Sequence, residues 1–238
     1  MSLSVIVPIY NEERRIARAL FELNNYLENH FDDFELIVVD DGSEDETLSI
    51  LKDLPFASLK VLSIAEHLGR GEAIRIGFSH AHACSAVVLF DADLSVSPTI
   101  IGKLMNTLHT TDCPFVFTEP TASFNAYFRR LSPLRFRRMA LALLGISHVA
   151  CGTKCLSSSF ARMVIPKTRM NDWGFEPELI FLAQTLGIRP QVLAQTDLVP
   201  KKNFSSSVLG VFALLKIRRL AHQGAYQAEK TKEWGGPS

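Results

Sequence analysis

Two aspartates, Asp91 and Asp93, stand one residue apart at the end of the apolar run VVLFDADLS, residues 87–95. Side chains alternate between the two faces of an extended strand, so carboxylates at positions i and i+2 point to the same side. Such a pair suits Mg²⁺ or Mn²⁺, hard cations that complete their coordination shell with substrate phosphate oxygens. Asp is also common where a strand passes into a turn. The pair therefore predicts either a divalent-metal site or a simple turn.

The elements that would position this pair can be predicted from hydrophobic patterning. The first 120 residues alternate short apolar runs with amphipathic stretches, a pattern typical of βαβ units around a mainly parallel sheet. Strands are predicted at residues 4–9, 35–39, 60–64, 86–90 and 115–118. Between the first two strands, four apolar residues recur at helical spacing: Ile16, Leu20, Leu23 and Leu27.

Helix starts are predicted from capping residues. Asn11 precedes the first helical pattern and is placed to cap it. Ser43 and Glu46 have the spacing of a capping box and predict the start of the second helix.

Polar residues follow three of the predicted strands. They are Pro8, Tyr10, Asn11 and Glu12 after the first, Asp40, Asp41, Gly42 and Ser43 after the second, and Asp91 and Asp93 after the fourth. Ligands of doubly wound sheets bind beyond the carboxyl ends of the strands. Because clustered carboxylates repel one another, they indicate a compensating cation or hydrogen-bond donors at this edge.

A glycine-containing loop, HLGRGEA at residues 67–73, lies between the third and fourth strands. Its glycines permit backbone conformations in which main-chain N–H groups approach an anion. Gly71 stands where a helix would begin, and Arg70 supplies positive charge. The loop has neither the lysine nor the spacing of a P-loop.

The charge of the chain is divided between its halves. Residues 1–120 hold 8 Lys and Arg against 19 Asp and Glu, whereas residues 121–238 hold 17 against 6. This asymmetry predicts a metal-holding acidic half and a basic half that faces phosphates or an anionic membrane. No apolar run reaches the length of a membrane span, and no secretory signal is evident, which together predict a cytosolic protein. The four cysteines lack zinc-site spacing and are predicted to be reduced packing residues.

Four ordered motifs together resemble a known family. VIVPIYNEE, LIVVDDGSEDET, HLGRGEAIRIGFSHA and LFDADLS are similar to the signature of inverting family 2 glycosyltransferases, in particular to dolichyl- and polyprenyl-phosphate glucosyl- and mannosyltransferases. The resemblance implies an α/β GT-A fold, a Rossmann-like mainly parallel sheet flanked by helices, with a C-terminal acceptor-side segment. It implies one domain over residues 1–225, divided into a nucleotide-sugar half (1–120) and an acceptor or membrane-facing half (121–225), before a polar tail (226–238).

The family also implies a GDP- or UDP-hexose donor, Mg²⁺ or Mn²⁺, and transfer to a lipid phosphate. The nucleotide-sugar-binding residues would be Pro8, Tyr10, Glu12, Asp40, Arg70, Gly71 and Asp91, and the metal ligands Asp91 and Asp93. The catalytic candidates are Asp93, Glu176, Glu178, Lys201 and Lys202.

The chemical class of the acceptor determines which of these residues would take part in catalysis. A phosphate is already an anion, so the cations that hold it near the anomeric carbon matter more than a base. A hydroxyl acceptor, in a glycan or small metabolite, would need Glu176 or Glu178 as a base, and a Gln substitution would then abolish turnover. With a phosphate acceptor, these glutamates would instead orient the donor sugar or a cation, or have a structural role. A catalytically silent sugar-nucleotide sensor or scaffold is the third hypothesis.

Two basic, apolar segments predict contact with a membrane surface. Residues 128–145 interleave five arginines with apolar residues, and residues 208–220 end in a second basic cluster. A solvated helix face is the alternative, whereas the acidic first half argues against nucleic acid. The prediction is thus a peripheral protein at the cytosolic membrane surface, and its oligomeric state is left open.

Several positions depart from the family pattern. Thr118, Glu119 and Pro120 replace a Gly-Ser-Arg turn that contacts phosphate, while His148 replaces an aspartate and His67 an asparagine. A late Arg-containing loop followed by Gly-Ser-Lys is replaced by KKNFS at residues 201–205. These changes predict an altered donor or acceptor contact, or a weakened enzyme.

Overall fold

The computed structural model describes residues 2–82, 84–92, 96–120, 133–149, 152–172, 174–195 and 207–226. The strands in these ranges are β1 (Ser2–Ile9), β2 (Asp33–Asp40), β3 (Leu59–Ser63), β4 (Ala86–Leu89), β5 (Phe115–Pro120), β6 (Lys154–Ser157) and β7 (Gln191–Gln195). The helices are α1 (Ile16–His30), α2 (Thr47–Lys52), α3 (Arg70–Ser79), α4 (Ile100–Thr110), α5 (Pro133–Leu144), α6 (Ser158–Val164), α7 (Phe175–Thr185) and α8 (Ser207–His222).

The strands form one sheet in the order β3-β2-β1-β4-β6-β5-β7. β1 pairs in parallel with β2 and β4, β2 with β3, and β5 with β7, whereas β6 runs antiparallel to both β4 and β5. The predicted mainly parallel α/β architecture and its five strands are confirmed. β6 and β7 were missed, because each holds only two or three consecutive apolar residues and neither shows a clear alternation of apolar and polar residues.

The sheet is covered on both faces, which explains why β1 is an almost unbroken apolar run. Successive residues alternate between two hydrophobic cores: Val5 and Val7 pack with α1 and α4, while Ile6 packs on the opposite side with α6 and α7. All three are fully buried. Burying a side chain of this size contributes about 1.5–3 kcal/mol. The paired cores thus give the carboxyl edge of the sheet a rigid base.

The capping predictions for the first two helices are wrong. α1 begins at Ile16 and α2 at Thr47, and neither has a side-chain hydrogen bond at its cap. Asn11 instead adopts a left-handed conformation, with φ of 53°. Its Oδ1 accepts from the Glu44 amide at 2.9 Å, and its own amide donates to Ser43 Oγ at 2.9 Å. These residues tie the loop after β1 to the loop after β2.

Two further bonds strengthen this connection between the loops. The Glu12 amide donates to Thr47 Oγ1 at 2.8 Å, and the Glu13 amide donates to Asp45 Oδ2 at 3.2 Å. Burial raises the pKa of Asp45, but its hydrogen bonds with Thr47 and the Glu13 amide together outweigh burial and lower this pKa below its ordinary value. The polar residues after β1 and β2 therefore hold two site-forming loops in a fixed relation.

Candidate active site

The candidate site lies at the carboxyl ends of β1, β2 and β4, as the topology of a doubly wound sheet predicts. α3 and α7 begin at the same edge of the sheet. This is shown by Arg70 at the start of α3, which contacts Asp91 after β4 and Glu176 in the first turn of α7. Three predicted site residues, distant in sequence, are thus brought together. Their roles remain predictions.

A chain of alternating charges forms the centre of this site. Arg70 Nη2 lies 2.6 Å from Asp91 Oδ1, and Arg70 Nε lies 3.5 Å from Glu176 Oε1. The same Glu176 oxygen lies 3.4 Å from Nζ of Lys154. We call Asp91, Arg70, Glu176 and Lys154 the charge chain. Lys154 was not predicted, since a single lysine in a short segment ordinarily indicates an exposed position.

The glycine loop is held by the protein's own acceptors. The amides of Leu68 and Gly69 each donate to the Asp41 carboxylate at 2.8 Å, and the Gly71 amide donates to the carbonyl of Asn171 at 2.8 Å. Gly69 has φ of 98°, and a Cβ on Gly71 would lie 2.1 Å from the Met170 carbonyl oxygen. The amides of Leu68 and Gly69 thus meet the Asp41 carboxylate, and the Gly71 amide meets a carbonyl oxygen.

We expect Asp41→Asn to destabilise the protein by about 1–3 kcal/mol, since an amide cannot accept both main-chain hydrogen bonds and the charge that strengthens them is lost. Asp41 is only 3% exposed, so water cannot substitute readily. Urea unfolding would measure the change. The exposed Asp32→Asn is the matched control, and an Asp41 variant as stable as this control would contradict the assignment.

Tyr10 presents an aromatic surface beside this loop. Its ring stacks on His67, with centroids 4.0 Å apart and planes 26° apart, and Tyr10 is 37% exposed. His67 Nδ1 lies 2.9 Å from Asp41 Oδ2. Exposed, oriented rings of this kind can stack on a planar base. The departure from the family at His67 thus adds a second ring to the predicted nucleoside side of the site.

The other predicted nucleotide-sugar residues lie on the same edge. Pro8 is in β1 and pairs in register with Val39 of β2. Asp40, the last residue of β2, is 1% exposed and accepts from the Ser43 amide at 3.3 Å. The carboxylate of Glu12 accepts from Arg15 Nη2 at 2.9 Å. None of these contacts tests the predicted roles in donor binding.

Glu178 is buried and acts as an acceptor for its surroundings. The amides of Arg169 and Met170 donate to its carboxylate at 2.8–2.9 Å, and the Tyr226 hydroxyl donates to it as well. Burial raises the pKa of Glu178, although these hydrogen bonds oppose the rise. Burial also raises the pKa of Tyr226, helped by its bond to the carboxylate. The contacts of Glu178 are those of a structural anchor for the turn that adjoins the glycine loop.

Two of the departures from the family pattern contact each other. His148 Nδ1 lies 3.0 Å from Glu119 Oε2, so the two side chains form a pair near the carboxyl end of β5. Next to them, Thr118 and Thr153 are 0% and 1% exposed, and neither hydroxyl has a hydrogen-bond partner among the described residues. Buried hydroxyls normally find a partner.

Three of the predicted residues, Asp93, Lys201 and Lys202, lie outside the described residues. Within the described ranges, no three or more His, Cys, Asp or Glu side chains come together in a way that could hold a metal ion. Of the two predicted metal ligands, Asp91 lies within the described residues, and its carboxylate is beside Arg70. This donor chemistry fits a cation that takes one or two protein carboxylates and completes its shell with phosphate oxygens.

The chain is similar to dolichyl-phosphate beta-glucosyltransferases of two mammals. Dolichyl-phosphate beta-glucosyltransferase of Mus musculus is 29% identical over 209 residues, covering 78% of this chain and 64% of the mouse protein. The protein of the same name from Homo sapiens is 27% identical over 260 residues, covering 97% and 79%. The chain thus spans less than two thirds of the mouse relative.

A solved structure shares the fold. Glucosyl-3-phosphoglycerate synthase from Mycobacterium tuberculosis, in complex with Mn²⁺, uridine diphosphate and phosphoglyceric acid, superposes with a TM-score of 0.68 at 24% identity, covering 91% of this chain and 78% of that one. This likeness supports the predicted GT-A type of α/β fold.

The model of a protein family described as glycosyl transferase family 2 matches residues 4–163, about two thirds of the chain. The matched region includes the three loops at the carboxyl ends of β1, β2 and β4, the glycine loop and Lys154. It is also the region in which all four sequence motifs were recognised. The chain therefore belongs to glycosyl transferase family 2.

Proposed function

We propose that the protein transfers a hexose from a nucleotide sugar to a polyprenyl phosphate at the cytosolic face of a membrane. Membership of glycosyl transferase family 2 supports the donor class. Similarity to the dolichyl-phosphate beta-glucosyltransferases supports the acceptor class. The choice of a phosphate acceptor rests on one observation. The carboxylates of Glu176 and Glu178 already contact other groups of the protein.

A hydroxyl acceptor has to lose a proton, and this requires a carboxylate oxygen within hydrogen-bond reach of it. Glu178 is 0% exposed and accepts from two amides and a hydroxyl. Glu176 Oε1 lies between Arg70 and Lys154. A phosphate acceptor needs no base, only cations that hold it against the anomeric carbon. The engaged carboxylates therefore favour a phosphate acceptor over a hydroxyl.

On the donor side, the exposed ring of Tyr10 would stack on the base, and Arg70 would face the diphosphate. Arg70 is suited to this role because its guanidinium can bond Asp91 and a phosphate oxygen at the same time. Asp91 and Asp93 would hold a divalent cation. When bound, that cation would neutralise the charge that develops on the departing nucleotide diphosphate.

The second half of the chain carries a surface that suits an anionic membrane. α5 and α8 pack together, so closely that a Cβ on Gly210 would lie 2.9 Å from the ring of Phe136. Leu141, Phe212 and Leu215 are 55%, 64% and 46% exposed on these helices. Exposed basic residues on the same helices are Arg137, Arg138, Lys216, Arg218 and Arg219. Among the described residues, no helix is both long and apolar enough to cross a bilayer.

The proposal is tested in two steps. First, the melting temperature is measured with each member of a panel of nucleotide sugars, with and without Mn²⁺. The donor should raise it, because a ligand at 100 times its Kd stabilises the native state by about 2.7 kcal/mol. Second, the stabilising donor, radiolabelled in its sugar, should transfer that sugar to a polyprenyl phosphate in detergent.

The matched control acceptor is the corresponding polyprenol, which has the same chain and no phosphate. We expect transfer to the phosphate only. Equal transfer to both acceptors would favour a hydroxyl acceptor, and stabilisation without any transfer would favour a silent nucleotide-sugar sensor. Either result would contradict the proposal.

A further inference from the structure

We infer that Lys154 is a positioning residue of the donor site, whose buried ammonium neutralises Glu176 and so leaves Arg70 directed at Asp91. The inference rests on the proposed function, because it concerns donor binding. It adds a residue that none of the sequence motifs assigned to the site.

Lys154 occupies a position that packing alone would fill with an apolar side chain. It lies on β6 between Leu89 of β4 and Phe117 of β5, and both of these partners are fully buried in the apolar core. Leu156, two residues further along, faces the same core. Lys154 itself is 0% exposed. Lysine is almost never fully buried unless it is paired, so this position indicates a specific use of its charge.

The ammonium is fixed by two acceptors. Nζ donates to the carbonyl oxygen of Gly152 at 2.9 Å and lies 3.4 Å from Glu176 Oε1. A lysine presents a compact charge on a flexible stem, which fits such a confined position better than the planar fork of arginine would. Lys154 is thus held by the segment just before its strand and directed at one oxygen of Glu176.

The distances along the charge chain show what this contact does. Arg70 is 2.6 Å from Asp91 and 3.5 Å from Glu176, so its closer partner is Asp91. Because Lys154 supplies positive charge to Glu176, the attraction of Glu176 for Arg70 is reduced. Without Lys154, Glu176 would be a buried carboxylate with Arg70 as its nearest cation, and it would draw Arg70 away from Asp91. The position of the donor-side guanidinium therefore depends on a lysine inside the sheet.

The test uses three variants: Lys154→Met, the double variant Lys154→Met with Glu176→Gln, and Leu156→Ala as the matched control. Lys154→Met should lower the melting temperature and raise the KM for the nucleotide sugar by at least about tenfold, the effect of losing one charge-assisted contact. The KM for the polyprenyl phosphate should stay within about twofold. Replacing both members of a buried ion pair by neutral groups is often tolerated. The double variant should therefore recover the melting temperature. It should also recover most of the donor KM, because a neutral side chain at position 176 no longer draws Arg70 away from Asp91.

Leu156→Ala removes buried volume from the same strand and the same face, so it should lower the melting temperature without changing the donor KM when measured well below that temperature. A donor KM that stays raised in the double variant after stability has recovered would overturn the inference, since it would show that Glu176 does not draw Arg70 away from Asp91. A wild-type donor KM in Lys154→Met would overturn it as well. If the wild-type protein binds no nucleotide sugar, the proposed function fails and the inference fails with it.

Discussion

Replacing Asp91 with asparagine is expected to lower kcat/KM for sugar transfer by at least about 100-fold, a loss of about 2.7 kcal/mol of transition-state stabilisation. The substitution keeps the shape of the side chain and removes its charge. Asp91 is 16% exposed at its side chain and lies 2.6 Å from Arg70. Without this charge, Arg70 would turn to Glu176, and the predicted metal site would lose a hard anionic ligand. The measurement is kcat/KM for the nucleotide sugar at saturating polyprenyl phosphate and several Mn²⁺ concentrations.

Two further variants make this result specific. Asp53→Asn removes the charge of an exposed aspartate after α2, and it should leave kcat/KM within about twofold. Asp93→Ala should match the loss caused by Asp91→Asn if the two carboxylates share one cation. Binding of Mn²⁺ in the presence of the nucleotide, followed by electron paramagnetic resonance, gives a readout that does not depend on turnover. Undiminished activity and Mn²⁺ binding in Asp91→Asn would refute the role of this aspartate.

The edge of the sheet on which the site lies could be predicted from sequence because it follows from local patterns. Apolar runs of four to eight residues locate parallel strands, and parallel strands bring their carboxyl ends to one edge. Asp91 and Arg70 meet there because one follows β4 and the other begins α3. Glu176, more than 80 residues further along, was predicted as a catalytic candidate, and its contact with Arg70 is seen only in the fold.

The internal connections of the site could not be predicted, because they depend on pairings between distant segments. Lys154 reaches the site because β6 lies between β4 and β5 and runs antiparallel to both. Asp40 and Asp41 are indistinguishable in sequence, yet Asp41 holds the glycine loop while Asp40 accepts from Ser43. Glu119 and His148 approach each other across 29 residues of sequence. Each of these contacts is fixed by tertiary packing, about which local propensity carries no information.

Glu176 and Glu178 lie in one helix, α7, yet their different contacts could not be predicted from sequence either. Residues two apart in a helix point about 200° away from each other around its axis. Glu176 therefore reaches the charge chain, whereas Glu178 reaches the amides of Arg169 and Met170 and the hydroxyl of Tyr226. Read as sequence, the two glutamates were equal candidates for a base. In the fold, Glu176 lies in the proposed donor site, whereas Glu178 accepts hydrogen bonds that stabilise the protein.

Replacing Glu178 with alanine is expected to lower the free energy of unfolding by about 3–5 kcal/mol, because it leaves two amides and a hydroxyl buried without their acceptor. Urea unfolding at pH 7 would measure the loss. Tyr226→Phe is the matched control, since it removes one donor and leaves the carboxylate bonded to both amides. We expect this control to cost about 0.5–1.5 kcal/mol. A loss in Glu178→Ala no larger than in Tyr226→Phe would show that the amides do not depend on Glu178.

The pH dependence of stability provides an independent test of the same anchor. Burial raises the pKa of Glu178 above its ordinary value of 4.5. The folded protein therefore binds a proton at Glu178 more strongly than the unfolded chain does, and stability falls as pH rises from 4.5 through the raised value. Glu178→Gln removes this titration, so the stability of the wild type relative to Glu178→Gln should decrease across that window. Tyr226→Phe removes a hydrogen bond that lowers this pKa, so it should extend the decrease to higher pH. A relative stability that increased with pH would mean that hydrogen bonding outweighs burial at this carboxylate.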